Sequence, residues 1–122
     1  MTDSAAGRFT ATVRDSAAGP VVEAVGELDY DSAPRLRGVL QRALVVHPAP
    51  VMLVVDLAGV TFCDSAGLNA LLMARLDAER QDTVVRLARP THIVARVLEI
   101  SGADKVFRVD PDLPTGTDTP AG

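Results

Sequence analysis

The chain has 122 residues, 48% hydrophobic but only 3% aromatic, and carries a formal net charge of −4. That length suits one domain burying roughly two-thirds of its unfolded surface, around a core of Val, Leu, Ile and Ala. The negative balance excludes a binder of nucleic-acid phosphates, which needs a basic stripe, and the lone Cys63 excludes an internal disulfide or cysteine-rich metal cluster. The most apolar stretch, Val39 to Val60, is cut by Gln41, Arg42, His47, Pro48, Pro50 and Asp56. It falls short of the ~20 uninterrupted apolar residues of a membrane helix. The first residues lack a signal pattern, so a cytoplasmic protein without membrane insertion is expected.

Residues 1–8 and 111–122 are rich in Gly, Pro, Thr, Ala and Asp without periodicity, and read as flexible ends around a domain spanning 9–110. Phe9, Ala11 and Val13 alternate with polar residues, which predicts a half-buried strand. After a turn over 15–20, a second strand to Glu27 closes a hairpin. Leu36, Val39, Leu40, Ala43 and Leu44 share one helical face, with Ser32 as N-cap and Pro34 in the first turn. Val51 to Val55 is apolar on both sides, as a strand covered on two faces requires. A second helix is predicted from Ala66 to Arg80 with Leu68, Leu71, Leu72 and Leu76 inward, followed by a strand from Thr83 to Leu87. Pro90 opens a third helix on Ile93, Val94, Val97 and Leu98, stopped by Gly102, before a short strand from Val106 to Val109. Right-handed crossovers make this an open mixed α/β sheet of about five strands, the first antiparallel and the later ones parallel, with three main helices.

The stretch from Val60 to Leu68 joins a buried strand to an amphipathic helix, where functional groups collect in α/β sheets. Ser65 falls at or beside the N-cap, and Gly67 opens the backbone to whatever approaches. A phosphate on Ser65 would meet the positive end of the helix dipole. Asp-Ser-Ala alone carries little: it begins at Asp3, Asp15, Asp31 and Asp64, and the first two occurrences read as loops and the third as a helix cap.

Context is more specific. Gly26-Glu27-Leu28-Asp29, then Val54-Val55-Asp56-Leu57, then Phe62-Cys63-Asp64-Ser65-Ala66-Gly67-Leu68, with a last helix ending Val97-Leu98-Glu99-Ile100-Ser101-Gly102, resembles the STAS domain family over about residues 9–110. The resemblance implies a stand-alone anti-sigma factor antagonist that binds a histidine-kinase-like anti-sigma factor and frees the sigma factor. It also implies that this partner, a serine kinase, phosphorylates Ser65 to break the complex, and that Asp29 helps bind it. Ala66 departs from the family pattern, where a second hydroxyl is common, and Asn69 replaces a frequent Gly. Asn69 and Met73, four residues apart, read as an exposed stripe leading from Ser65, which gives a partner surface of Asp29, Asp64, Ser65, Gly67, Asn69 and Met73. A monomer or weak dimer is expected. The same domain also serves, unphosphorylated, in lipid-transport ATPases or stress-signalling assemblies, where Ser65 would only cap a helix.

Enzymatic readings are weaker. Cys63 stands where a nucleophile elbow needs its first Gly, and His47 and His92 are scattered candidate bases on polar surfaces. A phospho-acceptor receiver lacks its early acidic pair, Lys105 being the only lysine. No glycine-rich phosphate loop is present, and Asp29 with Asp64 lacks a third metal ligand, so neither catalysis nor a cofactor is expected.

Overall fold

This computed structural model describes residues 9–114. The expected N-terminal end, the Asp-Ser-Ala at Asp3 and the last residues of the tail lie outside them. Strands β1 (Thr10–Arg14) and β2 (Val21–Leu28) form the predicted hairpin, Ala11 opposite Ala24. Then follow helix α1 (Ala33–Leu44), strand β3 (Met52–Cys63), helix α2 (Ser65–Glu79), strand β4 (Val84–Ala88) and helix α3 (His92–Ser101). A single 3₁₀ turn (Ala103–Lys105) leads to strand β5 (Arg108–Asp110). The sheet order is β1-β2-β3-β4-β5, antiparallel only between β1 and β2.

Sequential parallel strands joined by crossovers of one hand place their helices on one face. Accordingly Leu36 and Leu40 of α1, Leu71 and Ala74 of α2, and Val94 and Leu98 of α3 share one core with Val22, Leu53, Val55 and Leu87. The alternate strand residues Val21, Val54 and Ala88 face the other way, beneath Met52 and Leu113. The start of the expected loose tail therefore packs down, because Leu113 covers apolar surface that no helix reaches.

The buried apolar strand expected over 51–55 runs on to Cys63, beyond the reach of β4, and its last residues pair only with β2. Pairing with β2 shifts register twice, between Glu23 and Val25 and between Gly26 and Glu27. Gly26 has φ 113°, which suits the second irregularity.

Two inward assignments on the helices change. Leu76 is 45% exposed and Ile93 49% exposed, while the buried side of α2 is Gly67, Ala70, Leu71, Ala74 and Ala78. Small side chains let α2 lie close to its neighbours; Leu71 stays buried, Leu68 and Leu72 flank the core, and Leu76 is left outside. The strand after α2 spans Val84–Ala88, with Thr83 buried just before it and its hydroxyl donating to the Pro50 carbonyl. Helix α3 begins at His92 rather than Pro90, because the Thr91 oxygen accepts from Val94 N and anchors by donating to the Val60 carbonyl at 2.7 Å. Gly102 ends it in the left-handed region at φ 82°, as its position predicts. The last strand is Arg108–Asp110, since 103–105 wind into the 3₁₀ turn.

Candidate functional site

Two loops meet beyond the carboxyl ends of β2 and β3. In the first, Asp29 Oδ1 accepts from the backbone N–H groups of Asp31 and Ser32, both at 3.0 Å. Ser32 occupies the N-cap position of α1 but has α-region backbone angles, and its side chain makes no cap. Its hydroxyl donates instead to the Glu27 carbonyl at 2.7 Å and accepts from Asp29 N at 2.9 Å. Asp29 and Ser32 thus brace the turn that carries Tyr30.

In the second loop the capping residue is Asp64, not Ser65. Its extended backbone aims the carboxylate along α2, and Oδ1 accepts from Gly67 N at 3.0 Å. The other oxygen accepts from Tyr30 N at 3.2 Å, and Asp64 N donates to the Leu28 carbonyl at 3.1 Å. One carboxylate therefore caps a helix and ties the two loops together. Ser65 is the first helical residue, exposed, and its hydroxyl makes no hydrogen bond among the described residues.

Gly67 is buried. A Cβ there would lie 2.6 Å from both Cγ and the carbonyl oxygen of Leu28. The group that needs the missing side chain is Leu28 of the same chain, so the expected opening toward a partner is filled from within. Asn69 is exposed, as expected, whereas Met73 is half-buried, because this side of α2 turns toward α1. The stripe expected from Ser65 through Asn69 to Met73 is open only over its first part.

Cys63 is 6% exposed, and burial, followed by the neighbouring Asp64 carboxylate, pushes its thiol up from 9.0 to about 11. It is a packing residue, not a nucleophile, near neutral pH. Asp56 lies within β3 on the outer face, 4% exposed, with both carboxylate oxygens held by Arg89 at 3.2 and 2.6 Å. No group of three metal-ligating side chains occurs among the described residues, nor any helix long and apolar enough to cross a membrane.

Tyr30, which no pattern in the sequence singles out as a site residue, is 78% exposed beside this site. Its one signal is position: the only tyrosine in the chain directly follows the Gly26–Asp29 element.

The family model described as "Mlab, STAS domain" matches residues 11–111. The anti-sigma-F factor antagonist RsfB of Mycobacterium tuberculosis is 31% identical over 106 residues, 87% of this chain and 84% of that one. RsfA, an anti-sigma-F factor antagonist of the same organism, is 27% identical over 119 residues, covering 91% and 93%. The solved anti-sigma factor antagonist from Mycobacterium paratuberculosis has a TM-score of 0.77 at 28% identity, over 86% of this chain and 87% of its own. With its mixed five-stranded sheet, its Asp64-capped helix and a match across nearly all the described residues, this chain belongs to the STAS domain family.

Proposed function

We propose that this protein is an anti-sigma factor antagonist whose binding surface is the pair of loops around Ser65, and that phosphorylation of Ser65 turns it off. The observation that carries the reading is an exposed serine hydroxyl with no hydrogen-bond partner among the described residues, at the first position of a helix whose cap is supplied by another residue. Such a hydroxyl can be modified without dismantling the fold. The similarity to RsfB and RsfA supports an anti-sigma factor as the partner.

Phosphorylation adds about −1.5 to −2 charges. At a helix N-terminus this favours the folded chain by about 0.3–1 kcal/mol, so the switch acts on association rather than on folding. Asp29, Asp31 and Asp64 already make this end acidic. Adding a dianion weakens contact with any partner surface shaped for a neutral serine, and each ~1.4 kcal/mol of mismatch is tenfold in affinity. Unmodified protein captures the anti-sigma factor and frees the sigma factor; phosphorylated protein releases it. Asn69 and the open edge of Met73 extend the contact along α2.

The test is phosphate transfer from ATP by the purified cognate anti-sigma factor. Wild-type protein should be labelled and Ser65→Ala left blank, yet the variant should still bind. Because Asp64 caps α2, Ser65→Ala should shift stability by no more than ~0.5 kcal/mol in denaturant unfolding. Equal labelling of the two proteins would remove Ser65 from the switch. An unlabelled wild type that binds transporter components would favour the subunit role.

A further inference from the structure

Between α1 and α2, beginning one residue past Ser65, lies a groove of about 360 Å³. Gly38, Ala66 and Ala70 give it small, apolar walls, and Tyr30, Arg37 and Asn69 supply its larger side chains. Arg37, its side chain 30% exposed, donates from Nη2 to Asp77 Oδ2 at 3.1 Å, yet its Nε is buried with no hydrogen-bond partner among the described residues. Buried donors are normally paired, so this one beside an open groove has hydrogen-bonding capacity to offer an incoming acceptor. Helix α1 carries Arg35, Arg37 and Arg42 and no carboxylate, in a chain whose net charge is −4. The loops around Ser65, by contrast, carry Asp29, Asp31 and Asp64. The surface is therefore divided: acidic at the loops, basic along α1.

We propose that the groove receives a carboxylate-bearing side chain from an acidic segment of the same anti-sigma factor that docks at Ser65. The methylenes of that side chain lie against Gly38 and Ala70. Its carboxylate pairs with the Nε edge of Arg37, which a small rotation turns into the groove. The inference rests on the functional reading above and adds to it the chemistry of a second contact. A partner that presents a basic region to the Asp loops and an acidic one to α1 can seat in only one orientation. Arg37 and Gly38 are thus specificity residues, separate from the phosphorylation switch.

Two variants of the full chain test this, titrated calorimetrically with the purified anti-sigma factor. A Cβ at Gly38 would meet only Arg42 Nη1, at an ordinary 3.5 Å, and glycine is a poor helix former, so Gly38→Leu should fold and fill the groove. Its affinity should fall roughly tenfold or more, the loss typical of a blocked central contact. Arg37→Lys keeps the charge and can still reach Asp77 but lacks Nε, and should lose roughly three- to tenfold. Both should melt close to wild type; if Gly38→Leu folds poorly, Arg37→Lys alone decides. Wild-type affinity in the folded variants would overturn the groove assignment and leave the switch at Ser65 intact. A wild-type protein that binds no anti-sigma factor would overturn the functional reading itself.

Discussion

At the scale of single residues, the site depends on a division of labour between adjacent side chains. Asp64 holds the helix, and the Ser65 hydroxyl stays exposed without a hydrogen bond among the described residues. Asp64→Ala should therefore cost about 1–2 kcal/mol, since it removes both the Gly67 cap and the tie to Tyr30, while Asp64→Asn should recover most of it. Denaturant titration of the two variants checks this; equal losses would mean that the charge, rather than the cap geometry, matters. Cys63 gives a prediction in pH. Its thiol is raised from 9.0 to about 11, so the fold favours the protonated form. That contribution is fully present below the unfolded pKa and is lost as pH rises from about 9 toward 11. Native protein should resist alkylation near neutral pH and react once unfolded. Its alkaline loss of stability should be smaller in Cys63→Ala. Rapid labelling of the native protein would show the thiol to be open.

At the scale of elements, α2 is defined by how closely it approaches the sheet. Gly67 sits against Leu28, and Gly67→Ala forces a Cβ into contacts of 2.6 Å, so the helix start must move. Overpacking of this kind costs about 1–3 kcal/mol. It should also carry Ser65 out of place, so the phosphorylation proposed there should slow more than the lost stability explains. A melting midpoint like that of wild type would mean that the two loops can separate cheaply. Leu76 is exposed for the same reason. Periodicity ranks large apolar residues as inward, but a helix lying this near its neighbours buries its alanines.

At the scale of the whole molecule, three helices cover one face of the sheet, and the other carries a small apolar patch under Met52 and Leu113 together with paired charges. Arg14 meets Glu23 at 3.0 Å, Arg86 meets Asp110 at 3.0 Å, and Arg89 holds Asp56. Only the last has a buried carboxylate. Arg89 stands at φ 52°, a backbone cost that its pairing helps offset, and its guanidinium is held in the charged form by that hydrogen bond. Asp56→Ala should lower stability by about 2–3 kcal/mol, whereas Glu23→Ala, losing an exposed pair, should cost less than about 1 kcal/mol. Parallel unfolding curves check the contrast; equal effects would make Asp56 a surface pair like the others.

The sequence by itself determined the number and order of strands and helices, the parallel sense of the sheet, the stop at Gly102 and the loop that carries Ser65. These follow from local periodicity, turn chemistry and the handedness of crossovers, all of which act over a few residues or one connection. Asp29 and Asp64 were legible as neighbours of the site, but not as its framework. The tertiary structure alone decided that Asp64 caps α2 and grips the first loop, because the angles at Asp64 are set by β3 running on to Cys63 beside Leu28. It also decided that Gly67 packs against Leu28, that Met73 is half-buried, and that Tyr30 and Arg37 border one groove. Each of these depends on a distance between segments far apart in the chain. Such distances are set by how closely whole elements pack, and side-chain size on facing surfaces controls that approach more than hydrophobic period does.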